Sequence, residues 1–403
     1  MRSYEEKFVA GAIHNGASRA VSERVYSQIV GFSGFGFPKA HSAAFGLLAY
    51  QSTWLRVHYG AEFLCSLLNE QPMGFYPPDA LVHEAQRREI EVLPPDVNES
   101  QAECELDGAG RVRIGLGYVR GVREQEVMQL VGARGAAGRF HSLSELASRA
   151  GSSASSLELL AWSGACDGLV ETGPISARRV ALWQLGVATP GRGVPGGTQL
   201  ALPLDLPAPP QLRQLSRWEG MLADYATTGM TVKDHPLALL RDRLPQDAVT
   251  SRDLEALPHG ARVRVGGLVV ARQRPGTANG IVFILLEDEH GTINLIVPAQ
   301  IYEQHRLTVR TEPLMLVEGK LERFAAAGGA INILVDAVGS IAAPDRLLAE
   351  VKDFSLLDEQ VRLGRAEQRA AAGERAADDG PTDTDDFRAV APPVMSFAAG
   401  RRR

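Results

Sequence analysis

The chain has 403 residues, 45% of them hydrophobic, with a net charge of −6 and three scattered cysteines, Cys65, Cys104 and Cys166. That length exceeds one ordinary domain and supplies apolar material for several cores. The composition excludes a disulfide framework, a Cys-x-x-Cys zinc site and a membrane-spanning run, and the N-terminus lacks a signal-peptide core, so the expected compartment is the cytoplasm.

The charge is unevenly placed. Asp345–Asp386 holds 12 acidic and 6 basic residues, which accounts for the whole −6. The remainder is neutral overall, so contact with a polyanion would rest on local basic loops.

Residues 1–100 read as mostly helical. "SERVYSQIVGF" has apolar residues at three- and four-residue spacing, with Ser22 placed to cap it. The helix after His41 is expected to bury Phe45, Leu48, Ala49 and Leu55 on one face, and Gly60 separates it from the next. "PDALVHEAQRREI" has Pro78 at its first turn, where a missing N–H costs little.

Residues 101–186 open with a short strand pair around Asp107-Gly108, then become helical, cut by Gly121, Gly138, Gly151 and Gly164. Residues 187–212 form a Pro/Gly-rich linker. A helical connector covers 213–250. From 251 to 345 the period changes: five strand-like runs, with a helix between the third and fourth, give the chain order of an OB-like β-barrel. Residues 346–403 read as a mostly disordered acidic and Arg-rich tail, with a last stretch too short to fold alone. The fold class is thus multidomain α+β: helical regions, a five-stranded barrel and a disordered tail.

Five sites suggest themselves. In "GFPKAHS", Lys39 and the free N–H groups of a helix start favour an anion, His41 can donate to a sugar or phosphate oxygen, and Ser42 can cap. Ordinary helix punctuation explains the same residues. In "VRIGLGYVRGVREQEVMQLVGAR" the spacing suggests a helix-hairpin-helix, whose hairpin would turn backbone N–H groups to phosphate through Arg120, Gly121 and Arg123. Arg123 replaces the second hairpin glycine, and "FHSLSELASRAG" with "SSLELLAWSGACDGL" would be a degenerate second copy; plain helical packing is the alternative.

In the barrel, Arg272, Arg274 and Asn279 fall in the first long hairpin, Phe283 is the one ring in the strand interiors, and Lys320, Arg323 and Phe324 lie towards the last hairpin. Charge and stacking there suit a single strand, although the scarcity of rings leaves a protein-binding barrel open. In the linker, Gln199, Leu200, Leu202 and Leu204 have the form of an extended peptide that docks in a groove, similar to sliding-clamp ligands. Asp383 and Asp385, followed by Asp386, look like an Asp-x-Asp metal-binding pair but lie in a polar tail with no rigid strands to hold them. No catalytic or metal-ligating constellation is expected in the chain.

The stretch "FGFPKAHSAAFGLLAYQSTWLRVHYGAEFLCSLLNEQPMGFYPPDALVHEAQRREIEVLPPDVN" resembles the fingers region of bacterial C-family DNA polymerases, the replicative α-subunit family. "NEQPMGFYPPDALVHEAQRR" and the ending "FRAVAPPVMSFAAGRRR" are more similar to the error-prone, damage-inducible, ImuC-type branch. A tandem helix-hairpin-helix, linker and OB barrel follow in the family's order. The resemblance covers most of residues 1–345 and the last 17.

It implies that Lys39, His41 and Ser42 lie beside the incoming dNTP, His41 near the sugar and Lys39 at the triphosphate or template. It implies partners: DNA as primer-template and single strand, the sliding clamp, and an inactive Y-family polymerase homologue. The family's palm and PHP domains precede the fingers and have no counterpart here, so magnesium belongs to that palm. A chain without it is expected not to polymerise alone, and a separately encoded palm chain would complete it. A freestanding single-strand DNA-binding or clamp-adaptor module remains open. So does a remnant, which would expose apolar surface over residues 1–60.

Overall fold

The computed structural model describes residues 2–33, 39–73, 76–171, 174–188, 208–276, 278–324, 330–342, 387–392 and 394–396. The peptide Gln199–Leu204, the aspartates Asp383–Asp386 and most of the expected tail lie outside them. Two compact units divide at Phe63 and Leu64.

The first unit contains α1 (Arg2–His14), α2 (Arg19–Ser33), α3 (Lys39–His58) and the start of α4 (Gly60–Asn69). Val9 and Tyr26 are buried, and Phe8 stacks on Tyr26 with ring centroids 5.3 Å apart. Ser22 does not cap α2. It lies inside the helix, where its hydroxyl donates to the Ser18 carbonyl, and the Ser18 hydroxyl accepts from the Val21 N–H. α3 does not bury the expected face: Phe45, Leu48 and Leu55 are exposed, at 58%, 56% and 39%, and so is Ala49. Helical spacing defined a stripe, and among the described residues of this unit its members stay exposed.

The second unit begins with Leu64 and Leu68 buried on α4. α5 (Pro78–Arg87) starts on Pro78 as expected. β1 (Val92–Leu93), β2 (Glu105–Leu106) and β3 (Val112–Arg113) make a small sheet of order β1-β3-β2; the β2–β3 pair is the expected hairpin. α6 (Glu124–Ala137), α7 (Leu143–Arg149), α8 (Ala154–Trp162) and α9 (Pro174–Ala188) pack around Leu116, Leu130, Phe140, Leu146 and Leu160. Gly121, Gly138, Gly151 and Gly164 all have φ between 66° and 83°, where a side chain is strained, which is why the helices break there.

The connector forms α10 (Arg217–Thr228) and α11 (Pro236–Leu240), followed by β4 (Ala248–Val249) and α12 (Ser251–Leu254). The barrel follows: β5 (Arg262–Gln273), β6 (Val282–Glu287), β7 (Thr292–Val297), helices α13 (Ala299–Gln304) and α14 (Arg306–Thr311), β8 (Leu314–Phe324) and β9 (Ala330–Ser340). The order β5-β6-β7-β9-β8, closed by β8 on β5, with β7 and β9 parallel, is that of an OB barrel. Val265, Leu286, Val297, Val317 and Ile333 fill it.

The chain's last described residues do not read as a tail. α15 (Phe387–Val390) buries Phe387 and Val390 against Trp218, Met221 and Tyr225, and β10 (Met395–Ser396) pairs in parallel with Ala271 and Arg272 of β5. Beyond a bulge at Val269 and Ala271, β5 leaves β8, and β10 takes the vacated edge.

Candidate nucleic-acid interface

Cross-strand register sets two outward rows on the barrel. One runs Lys320, Leu334, Ile296, Phe283, Gln273 across β8, β9, β7, β6 and β5. The next runs Glu322, Asn332, Asn294, Leu285, Ala271. Between them opens a cavity of about 450 Å³ whose walls include Phe283, Gln273, Asn294, Asn332 and Tyr76. Phe283 is 37% exposed there, so a ring face is accessible beside amide groups that both donate and accept. Tyr76, from the loop before α5, adds a ring that barrel periodicity could not have indicated.

The other barrel residues divide by partner. Arg274 lies over the Tyr302 ring, 4.3 Å to the centroid, and 3.6 Å from Glu303. Asn279 sits at φ 50° in the hairpin. Lys320 and Phe324 are exposed. Arg272 and Arg323 are committed elsewhere. The Arg272 guanidinium donates to the Glu312 carbonyl, and burial lowers its pKa to about 10. Arg323 donates to the carbonyls of Leu254 (2.9 Å) and Leu257 (3.1 Å) and to that of Glu255, tying β8 to the end of α12. Both look like loop cations in the sequence and act as braces in the fold.

In the helical region the hairpin Val119–Arg123 has Gly121 at φ 83°. Arg120 and Arg123 are exposed, Arg123 at 78% of its side chain. The amides expected to meet phosphate are partly spent within the protein. Glu126 accepts from the Arg123 N–H at 3.4 Å, and also from the Ser153 N–H and the Ser156 hydroxyl, both at 2.8 Å. Burial opposes its charge, but these bonds outweigh burial and hold its pKa at about 2. An internal carboxylate thus closes α6 and the second hairpin together, leaving the arginine side chains as the outward groups.

At the start of α3, Lys39 is the first helical residue, and its side chain lies outside the described set. His41 and Ser42 are exposed, and the His41 ring stacks against Phe45 at 4.3 Å between centroids.

Sequence reasoning missed a buried polar cluster that joins α5 to the connector and barrel. Asp79 accepts from the Tyr225 hydroxyl (3.0 Å) and the Thr231 N–H (3.1 Å). Arg87 donates to Glu287 at 2.6 Å, and His83 Nδ1 is 3.3 Å from the same carboxylate. Burial raises Asp79 to about 6. For His83, burial opposes the charge, but Asp79 and Glu287 prevail and raise its pKa. His83, His235 and Glu287 bring ligand atoms within 4.8 Å of one another. A metal fits them poorly: His235 Nδ1 accepts from the Leu237 N–H, so Nε2 carries the proton, and Arg87 already occupies Glu287. These residues are scattered in sequence, and no local spacing marks them.

Comparison with known proteins agrees with this architecture. Residues 89–173 match the helix-hairpin-helix motif, and residues 263–340 match the OB-fold nucleic acid binding domain. The chain is 41% identical to an error-prone DNA polymerase of Anaeromyxobacter dehalogenans, over 88% of this chain and 31% of that one. It is 42% identical to an error-prone DNA polymerase of Burkholderia pseudomallei, over 78% of this chain and 30% of that one. It therefore spans about a third of the length of these relatives. Among solved structures, asparaginyl-tRNA synthetase from Pyrococcus horikoshii is 20% identical with a TM-score of 0.21, covering 25% of this chain and 24% of that one. No described helix is long and apolar enough to cross a membrane.

Proposed function

We propose that this chain, a homologue of part of the error-prone DNA polymerases, is the portion of such an enzyme that holds DNA. The observation that carries the reading is the outer row Lys320–Leu334–Ile296–Phe283–Gln273 with Asn294 and Asn332 beside it. A ring to stack on, amides that bond in either direction and a cation at one end suit a single strand with little sequence preference. Arg120 and Arg123 would meet the phosphate backbone of the primer-template at the first hairpin.

In this reading Lys39, His41 and Ser42 serve selection of the incoming dNTP. Gln199, Leu200, Leu202 and Leu204 take the sliding clamp, and the inactive Y-family homologue recruits the assembly to damaged template for translesion synthesis. The magnesium ions of phosphoryl transfer belong to palm carboxylates, and these residues contribute grip rather than chemistry. The exposed rings of α3 suit a helix that another domain covers as well as they suit a relic, so DNA contact is the property to test.

The test is photocrosslinking of a halogenated-uracil single strand to the full chain, with the adduct mapped by peptide mass. Adducts at Phe283 or its row neighbours support the reading; adducts elsewhere, or none above a scrambled-surface control protein, oppose it.

A further inference from the structure

Near the turn between β6 and β7, bounded by α5 and the loop before α11, lies a second cavity, about 330 Å³ in volume. Its walls include His83, Arg87, His235, Arg252 and His290. Phe283 and Glu287 lie four residues apart on β6, roughly 13 Å along the strand, and the cavity wall takes up Glu289 and His290 beyond that end.

Counting hydrogen bonds around it leaves donors over and acceptors spent. Glu287 is taken by Arg87 and faces His83. Glu289, also in the wall, receives both bonds of Arg241, at 2.9 and 2.7 Å. Asp288 turns inward to the Ser251 N–H and hydroxyl and to the amides of His290 and Gly291. On the donor side, His235 Nδ1 accepts from Leu237, which leaves the proton on Nε2, and that atom is buried with no partner. His83 Nε2, also buried without a hydrogen bond, faces Asp79 at 3.6 Å as its ion-pair partner and so is not left over for a guest. Arg241 Nη1, behind the wall residue Glu289 and not itself in the wall, is another buried donor with none. Arg252 stands exposed in the wall and makes no ion pair among the described residues.

Unmade buried donors cost free energy that an acceptor-rich guest would recover. Burial, and then the nearby His83, Arg87, Arg241 and His290, push the His235 imidazole well below its usual range and keep it a neutral donor.

We propose that this cavity is an oxyanion site that takes one phosphate group, with His235 Nε2–H as the buried donor and Arg252 as the cation at its mouth. The phosphate is either a phosphodiester of a nucleic-acid strand or the terminal phosphate of a nucleotide or strand end. The site stands whether or not the Phe283 row binds DNA, because inorganic phosphate alone probes it.

The experiment titrates the full chain with inorganic phosphate, followed by the ring nitrogen resonances of its histidines and by calorimetry. Saturable binding that shifts His235 Nε2 and weakens about tenfold in Arg252→Ala, with recovery in Arg252→Lys, is expected for loss of one charge-assisted bond. Arg252 is exposed, so the fold should survive, and an unchanged melting temperature checks that. No saturable binding, binding indifferent to Arg252→Ala, or tighter binding of zinc than of phosphate overturns the proposal. Oligonucleotides of one sequence with a 5′-phosphate or a 5′-hydroxyl separate the sources. Preference for the phosphorylated end that disappears in Arg252→Ala assigns a terminal phosphate, and equal weakening of both assigns a phosphodiester.

Discussion

Glu126 accepts the backbone N–H of Ser153 at 2.8 Å while capping its own helix at Arg123. One side chain thereby satisfies two helix starts, at α6 and α8, and locks the two halves of the helical unit. Glu126→Gln keeps the shape but loses the charge, and should cost about 1–3 kcal/mol in urea unfolding. The folded pKa of about 2 lies below the ordinary 4.5, so the stabilisation is complete above about pH 4.5 and is lost as pH falls towards 2. The wild type should lose stability over that window, and the variant should lose less.

Gly319 sits where β8 bulges against β9, and a Cβ there would lie 2.3 Å from the Leu334 carbonyl oxygen. Backbone cannot yield as a side-chain tip can. Gly319→Ala should destabilise the barrel by about 1–3 kcal/mol, read from thermal unfolding.

The His83 cluster should make stability depend on pH in the opposite sense to Glu126. His83 has a folded pKa above its ordinary 6.5, so its contribution is present below about 6.5 and fades as pH rises through the higher value. Asp79, raised to about 6 by burial, adds to the same trend, favouring the fold while protonated. The stability difference between wild type and His83→Gln should therefore shrink from pH 6 to pH 8.5, and a difference that grows would contradict the assignment.

Phe387 is buried against Trp218 and Tyr225, with ring centroids 5.7 Å from each. Phe387→Ala should remove up to about 3–5 kcal/mol from docking of the C-terminal segment. Amide exchange at Ala271 and Arg272, which β10 pairs, should quicken, while the rest of the barrel keeps its protection.

Much of this was legible in the sequence. The barrel's strand count and order followed from turn residues and period, and the helix breaks followed from glycines that adopt positive φ. What failed was anything set by partners distant in sequence. Phe45, Leu48 and Leu55 define a stripe without telling what covers it. Phe387 and Val390 look like a stray apolar pair until α10 lies beside them. Arg272 and Arg323 cannot be told from loop cations until Glu312 and the end of α12 come within reach. The Asp79, His83, His235 and Glu287 cluster draws on three segments with no common motif.

The most direct test of the central claim measures single-strand DNA affinity of the full chain by fluorescence anisotropy across a salt series, comparing Phe283→Ala, Lys320→Ala and Arg323→Ala. Phe283→Ala should weaken binding by about 1–3 kcal/mol without changing the salt slope, and Lys320→Ala should weaken it and lower the slope by about one. Arg323→Ala should lower the melting temperature while leaving affinity near that of the wild type, since its guanidinium is a brace. Equal affinity in the wild type and Phe283→Ala, with an unchanged slope in Lys320→Ala, would contradict the assignment of this barrel face to DNA.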